Sequence, residues 1–220
     1  MTLIEVLVVV AIIAVLITIL LPSFRFARIG AKIVKAHAEL KSIEQALLMY
    51  HDEQADQLPP TRFSCSMRTA YELPVELGEG NYLPLRNRPV QTAAGSGFIN
   101  AVDMPDVFAP HETYKYRAVG PAIMNEFTVL EPPNGASLWV PKDFPDVTEM
   151  AGRYWFDPRE SPVRYALWSI GPDPDSPKFT APGVVSGRKP VPKPFWCRGS
   201  TDTGVITHYQ ARDGKSYMSP

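Results

Sequence analysis

From Leu3 to Leu21 the chain is apolar at every position except Glu5 and Thr18. As a helix rising about 1.5 Å per residue, such a run matches the roughly 30 Å hydrocarbon thickness of a bilayer. Past Pro22 the pattern changes. Ile29, Ile33, Ala36, Leu40, Ile43, Leu47 and Tyr50 recur in steps of four and three, the spacing of one helical face. Lys32, Lys35, His37, Glu39, Lys41 and Glu44 lie mostly off that stripe. The pattern predicts an amphipathic helix from Ser23 to about Gln57, stopped by Pro59-Pro60 and packed on its own domain, with a coiled-coil dimer as the rival. Pro22 itself is expected to kink the long helix rather than end it.

After the helix the pattern is mixed. A short helix over 69–77, interrupted by Pro74, and a turn at Gly78–Asn81 are expected in a segment that connects helix to sheet. From Thr113 onward short β-branched and aromatic runs, bounded by Pro, Gly and Asn, predict strands at 113–119, 126–131, 137–140, 153–156, 164–170 and 204–210. Brief connections favour antiparallel pairing. Residues 172–194 hold seven prolines and predict an exposed, stiff loop. The expected class is α+β: one long helix against a small antiparallel sheet, with extended Pro-rich loops. The divisions are 1–22 (apolar half-helix), 23–58 (amphipathic half-helix), 59–112 (connecting segment) and 113–220 (β domain).

Composition narrows the function. The 220 residues carry a net charge of -1, which argues against a nucleic-acid partner. Proline, at 23 positions, is about twice its usual ~5 % share, so few long regular elements are expected after the first helix. Cys65 and Cys197 are the two cysteines; in an oxidising compartment they favour one disulfide, two buried thiols being the alternative. His37, His51, His111 and His208 are scattered without ligand spacing, and no nucleophile elbow or CxxC occurs. The chain is therefore not expected to be an enzyme.

Glu5 is the anomaly. A carboxylate in an apolar run costs a few kcal/mol in lipid and calls for a partner cation. No Lys or Arg precedes Phe24, so the nearest candidate is the α-amino group of Met1, of the same chain or of a neighbouring copy. A secretory signal peptide would want a basic n-region and a shorter core, and a plain anchor leaves Glu5 unexplained. Arg25, Arg28, Lys32 and Lys35 follow the apolar run and would by the positive-inside rule sit in the cytoplasm.

Met1-Thr2-Leu3-Ile4-Glu5, the aliphatic run and Pro22 resemble the mature N-terminus of the type IV pilin and type II secretion pseudopilin superfamily. That resemblance implies that Met1 is the residue left by a prepilin peptidase and then methylated, with the domain outside the cytoplasm, against the positive-inside reading. It also implies that Glu5 and Met1 set register between copies. Ala14 departs from the glycine many members carry there. The stretch from Tyr165 to Asp175 is similar to the Y-x-L-x-S-x-G-x-D pattern of major pseudopilins, where the next loop binds calcium. By that likeness Asp173 and Asp175, with Asp202 as a distant third, would be calcium ligands. The flanking prolines and the basic Lys178, Arg188, Lys189 and Lys193 favour instead a plain Asx-Pro turn.

The implied function is a subunit of a pilus-like filament, with a type II secretion pseudopilus ahead of a type IV pilin for adhesion, motility or DNA uptake. Its implied partners are copies of itself, the inner-membrane assembly machinery and the peptidase. The implied location is a single pass through the inner membrane, then a periplasmic or extracellular filament of a diderm bacterium. A membrane-tethered binding module that never polymerises is the alternative from another class.

Overall fold

The computed structural model describes residues 2–63, 70–92, 95–125, 128–141, 144, 152–172 and 190–220. One helix, α1 (Leu3–Glu53), supplies a quarter of the chain. At about 1.5 Å per residue its 51 residues extend about 76 Å. It runs through Pro22, whose missing N–H leaves the Thr18 carbonyl without its helical donor.

The second half of α1 folds as its stripe predicts. Ile33, Ala36, Leu40, Ile43 and Leu47 are buried in one core cluster, and Ile29 and Tyr50 pack at its ends. The stripe is covered by the chain's own sheet, as expected, and is not a free coiled-coil seam. The helix stops earlier than Pro59-Pro60 suggests. Ala55 and Asp56 both take left-handed backbone angles, φ 51° and 62°, and the Asp56 N–H donates back to the His51 carbonyl at 3.0 Å. A two-residue left-handed turn, not the proline pair, ends the helix.

The sheet against α1 has the order β11-β10-β9-β4, formed by β4 (Lys115–Ala118), β9 (Val163–Ser169), β10 (Ile206–Ala211) and β11 (Ser216–Met218). All three pairings are antiparallel. Alternation along β9 and β10 sorts the side chains. Tyr165, Leu167 and Ile206 face the helix cluster, whereas Ala166, Trp168 and Tyr209 enter a second cluster with Leu138, Val140, Trp155 and Trp196. The sheet is thus covered on both faces, which is why β9 is buried almost end to end. Part of the second cover is β7 (Leu138–Val140) paired with β8 (Arg153–Trp155).

The segment expected merely to connect is more structured than its sequence suggests. It holds β1 (Thr61–Phe63), α2 (Glu76–Glu79), and a hairpin of β2 (Leu85–Thr92) with β3 (Gly95–Val102). Pro89, Gly95 and Gly97 read as breakers, yet a two-stranded ribbon is all edge and tolerates them. Gly95, Ser96 and Gly97 open β3.

One pairing departs from the antiparallel expectation: β1 runs parallel to β5 (Ala122–Met124), which pairs antiparallel with β6 (Thr128–Leu130). Thr61 fixes this arrangement. Its hydroxyl donates to the Ala118 carbonyl at 3.0 Å and accepts from the Ala118 N–H at 2.8 Å, holding the chain leaving the helix beside the β4–β5 turn. The Pro-rich stretch also differs where it is described. Pro190, Val191 and Pro192 are buried rather than exposed, and the Pro190 carbonyl accepts from the Trp196 indole at 2.9 Å. Residues 173–189 lie outside the described residues.

Candidate functional site

The projecting half of α1 is the first candidate. No residue from Leu3 to Arg28 is buried, and the best 18-residue window, of mean hydropathy 3.2, has none of its residues covered by the chain. One helix is therefore long and apolar enough to cross a membrane. Its apolar side chains surround the axis instead of forming one stripe, so a solvent as apolar as themselves must cover every face. Phe24 and Phe26 continue the exposed apolar surface past Pro22, where Arg25 and Arg28 begin the charged part.

At the tip, Glu5 has a partner within its own first helical turn. Glu5 Oε2 accepts from the Thr2 backbone N–H at 2.6 Å, and the Thr2 hydroxyl accepts from the Glu5 N–H at 3.4 Å. This reciprocal capping box satisfies two of the four donors a helix start leaves open. The signal was in Thr2-Leu3-Ile4-Glu5 itself, a Thr-x-x-Glu directly before an apolar run. The carboxylate is exposed in the isolated chain, with its second oxygen available to another donor. Met1 lies outside the described residues.

The remaining sequence candidates fall apart from this tip. Asp173, Asp175 and Cys65, and with them the expected calcium turn and one end of the expected Cys65–Cys197 bond, lie outside the described residues. Among the described residues there is no disulfide and no cluster of His, Cys, Asp or Glu that would hold a metal ion. Cys197 is buried in the helix-side cluster. Asp202, the distant third ligand, is occupied with its own loop: its oxygens accept from the Arg198 N–H at 3.0 Å and the Thr203 N–H at 2.8 Å.

The stretch Ser169-Ile170-Gly171 has a structural job. Asp106 is fully buried and receives the Ser169 hydroxyl at 2.8 Å, the Ile170 N–H at 3.0 Å and the Phe108 N–H at 2.9 Å. Burial raises the Asp106 pKa and these donors oppose the rise. Gly171 then turns with φ 77°, and a Cβ there would stand 1.7 Å from the Gly204 carbonyl oxygen. The residues that resemble a pseudopilin pattern thus close the end of β9 against two loops.

A partly buried polar seam, which the sequence did not reveal, ties α1 to the last two strands. His37 Nδ1 meets His208 Nε2 at 3.0 Å, one ring donating to the other. Glu44, almost two full turns further along the helix, accepts the Ser216 hydroxyl at 2.5 Å. Its Oε2 stands 3.9 Å from His208 Nδ1, an electrostatic contact longer than a hydrogen bond, and 3.5 Å from Lys41 Nζ. The His208 ring is the main influence holding the Glu44 pKa down, to about 2; burial opposes it, and Ser216 and Lys41 assist. The His37 pKa is lowered, first by burial and then by the His208 ring.

The linkage follows from these directions. The folded chain binds both protons more weakly than the unfolded chain, so stability is complete at neutral pH and falls as pH drops. The loss begins below the ordinary His37 value of 6.5 and continues from the ordinary Glu44 value of 4.5 toward about 2. Glu44 contributes on the order of 3 kcal/mol to that loss. Thermal unfolding of Glu44→Gln should therefore lose most of the acid limb below about pH 4.5 that the parent chain shows. An identical acid limb in both proteins would refute the seam.

Sequence and structure comparisons add no relative: no family model, no curated protein and no solved structure matches the chain. The α+β arrangement of one long N-terminal helix with several small sheets, and a first half-helix able to span a bilayer, are the features on which a function has to be built.

Proposed function

We propose that the chain is a structural subunit of a helical pilus-like filament, of the kind that serves as a type II secretion pseudopilus in protein export. One observation carries the reading: a single continuous helix is divided into a half locked into the domain and a half that is apolar all round with no cover from its own chain. Such a half-helix has two stable surroundings, the bilayer and a bundle of its own kind. The subunit waits in the membrane with its domain outside, and copies then leave lipid by packing their apolar halves into a common core. The domains, rigidly continuous with the helices through the Ile33–Leu47 stripe, form the outer shell.

The capping box favours a second reading. With Glu5 already satisfied by Thr2, the helix tip does not require another copy, and a membrane-tethered binding module that never polymerises fits as well. Electron microscopy of material sheared from cells overproducing the full chain separates the two. Filaments of uniform width containing this chain are expected; membrane-bound monomers alone, with no polymer under any expression level, would leave the tether.

A further inference from the structure

Where α1 ends, the turn after it, the β4–β5 connection, the start of β9 and the β10–β11 turn border an open cavity of about 710 Å³. That volume lies within the roughly 300–1,000 Å³ range of sites for small organic ligands. Its lining is divided by chemistry. Leu58, Pro59, Val119 and Pro158 provide apolar wall, and three guanidinium groups, Arg159, Arg164 and Arg212, stand around it. Among the described residues no carboxylate lies within ion-pair distance of any of the three. Glu131 also lines the cavity, and Asp56 is engaged with His51.

Each arginine is placed by its backbone or by a neighbour. Arg212 stands on the β10–β11 turn, held by its N–H on the Pro162 carbonyl at 2.9 Å. The Arg159 N–H donates to Asp157 Oδ1 at 2.7 Å. Arg164, on β9, is the deepest, and its Nη1 lies 3.3 Å from His51 Nε2. A guanidinium has donors only, so that histidine nitrogen must be the acceptor and the ring proton must sit on Nδ1. Nδ1 indeed faces carboxylate oxygens of Asp52 and Asp56, each at 3.6 Å. The helix end thus orients Arg164 through the His51 ring. Planar forks without carboxylate partners, beside an apolar wall, match an oxyanion carried on an apolar body.

We infer that this cavity is a binding site for a small organic anion, whose carboxylate or phosphate meets Arg159, Arg164 and Arg212 while its apolar body lies along the Leu58–Pro59 wall. The site is independent of the filament reading, since it lies on the domain and uses no residue of the apolar half-helix.

The test uses the full chain in lipid nanodiscs, labelled to observe arginine Nε–H signals by NMR. The probes are 4-phenylbutyrate and phenyl phosphate, with inorganic phosphate as the head alone and 4-phenylbutanol as the neutral body. Both organic anions should shift the signals of the three arginines, and bind roughly tenfold more tightly than inorganic phosphate. Whichever of the two binds better identifies the head group. The double variant Arg164→Gln with Arg212→Gln, checked for an unchanged backbone spectrum, should weaken the better probe by about tenfold or more. Equal shifts from 4-phenylbutanol, or unaltered affinity in Arg159→Gln should the double variant misfold, would overturn the site.

Discussion

Filament yield from Glu5→Ala should fall to background, and Glu5→Gln should fall with it. The pair of variants separates the helix cap that Glu5 makes from the charge pairing proposed for it in assembly. As the third residue of the helix, Glu5 closes the capping box on Thr2. Glutamine can close the same box, because its amide oxygen accepts from the Thr2 N–H as a carboxylate does. Alanine cannot, and loss of that cap is worth about 1 kcal/mol of helix stability. What glutamine cannot supply is the charge. If a neighbour's amino group matches Glu5 during assembly, the two variants fail alike although only one frays the helix start. Membrane insertion should survive in both, and be slightly favoured, because each removes a charge from the apolar run. The measurement is the ratio of sheared filament to membrane-held chain. Full recovery of filaments by Glu5→Gln would assign the residue to capping alone and remove the charge from the mechanism.

The largest effect on stability is expected at Gly171→Ala, about 3 kcal/mol or more. Two penalties combine there. An alanine at φ 77° is strained by roughly 1 kcal/mol. The larger part comes from the new methyl group, which would stand 1.7 Å from the Gly204 carbonyl oxygen. That oxygen belongs to backbone, and Gly204 is itself held at φ 157° with Trp196 and Cys197 packed close. Relief would require the end of β9 to part from the loop before β10, breaking the Asp106 connections to Ser169 and Ile170. Gly214→Ala is the control, because its positive φ of 87° is matched by open space where the Cβ would lie. It should lose only the strain. Denaturant unfolding that shows the two variants equally destabilised would mean that the Gly171–Gly204 approach does not constrain the fold.

These two sites show what was legible in the sequence. The helix and its buried face could be read residue by residue, because a 3.6-residue period carries the information locally: every position from Ile33 to Leu47 named from the spacing is in the core. The strands at 138–140, 153–155 and 163–169 were legible for the same reason, being short aromatic runs between breakers. The β2–β3 hairpin was not, because Pro89 and two glycines conceal it and only its pairing gives it form. The parallel β1–β5 pair depends on one threonine hydroxyl, whose partner lies 57 residues away. The seam was hidden for a related reason. Glu44 and His37 read as solvated residues off the stripe, and nothing near them in sequence announces that His208 and Ser216 arrive opposite. The capping box, by contrast, is written in four consecutive residues, Thr2 to Glu5.

The partners along that seam, separated by 171 and 172 residues, have a bearing on synthesis. Helix α1 is translated well before β9 and β10, the strands that pack over its Leu40 and Ile43. Native cover over that greasy stripe therefore waits for almost the whole polypeptide, an interval of about 10–40 s at ordinary elongation rates. Throughout it the nascent chain holds out an adhesive flank to its surroundings, and a chaperone able to shield a single amphipathic helix would find its customer there.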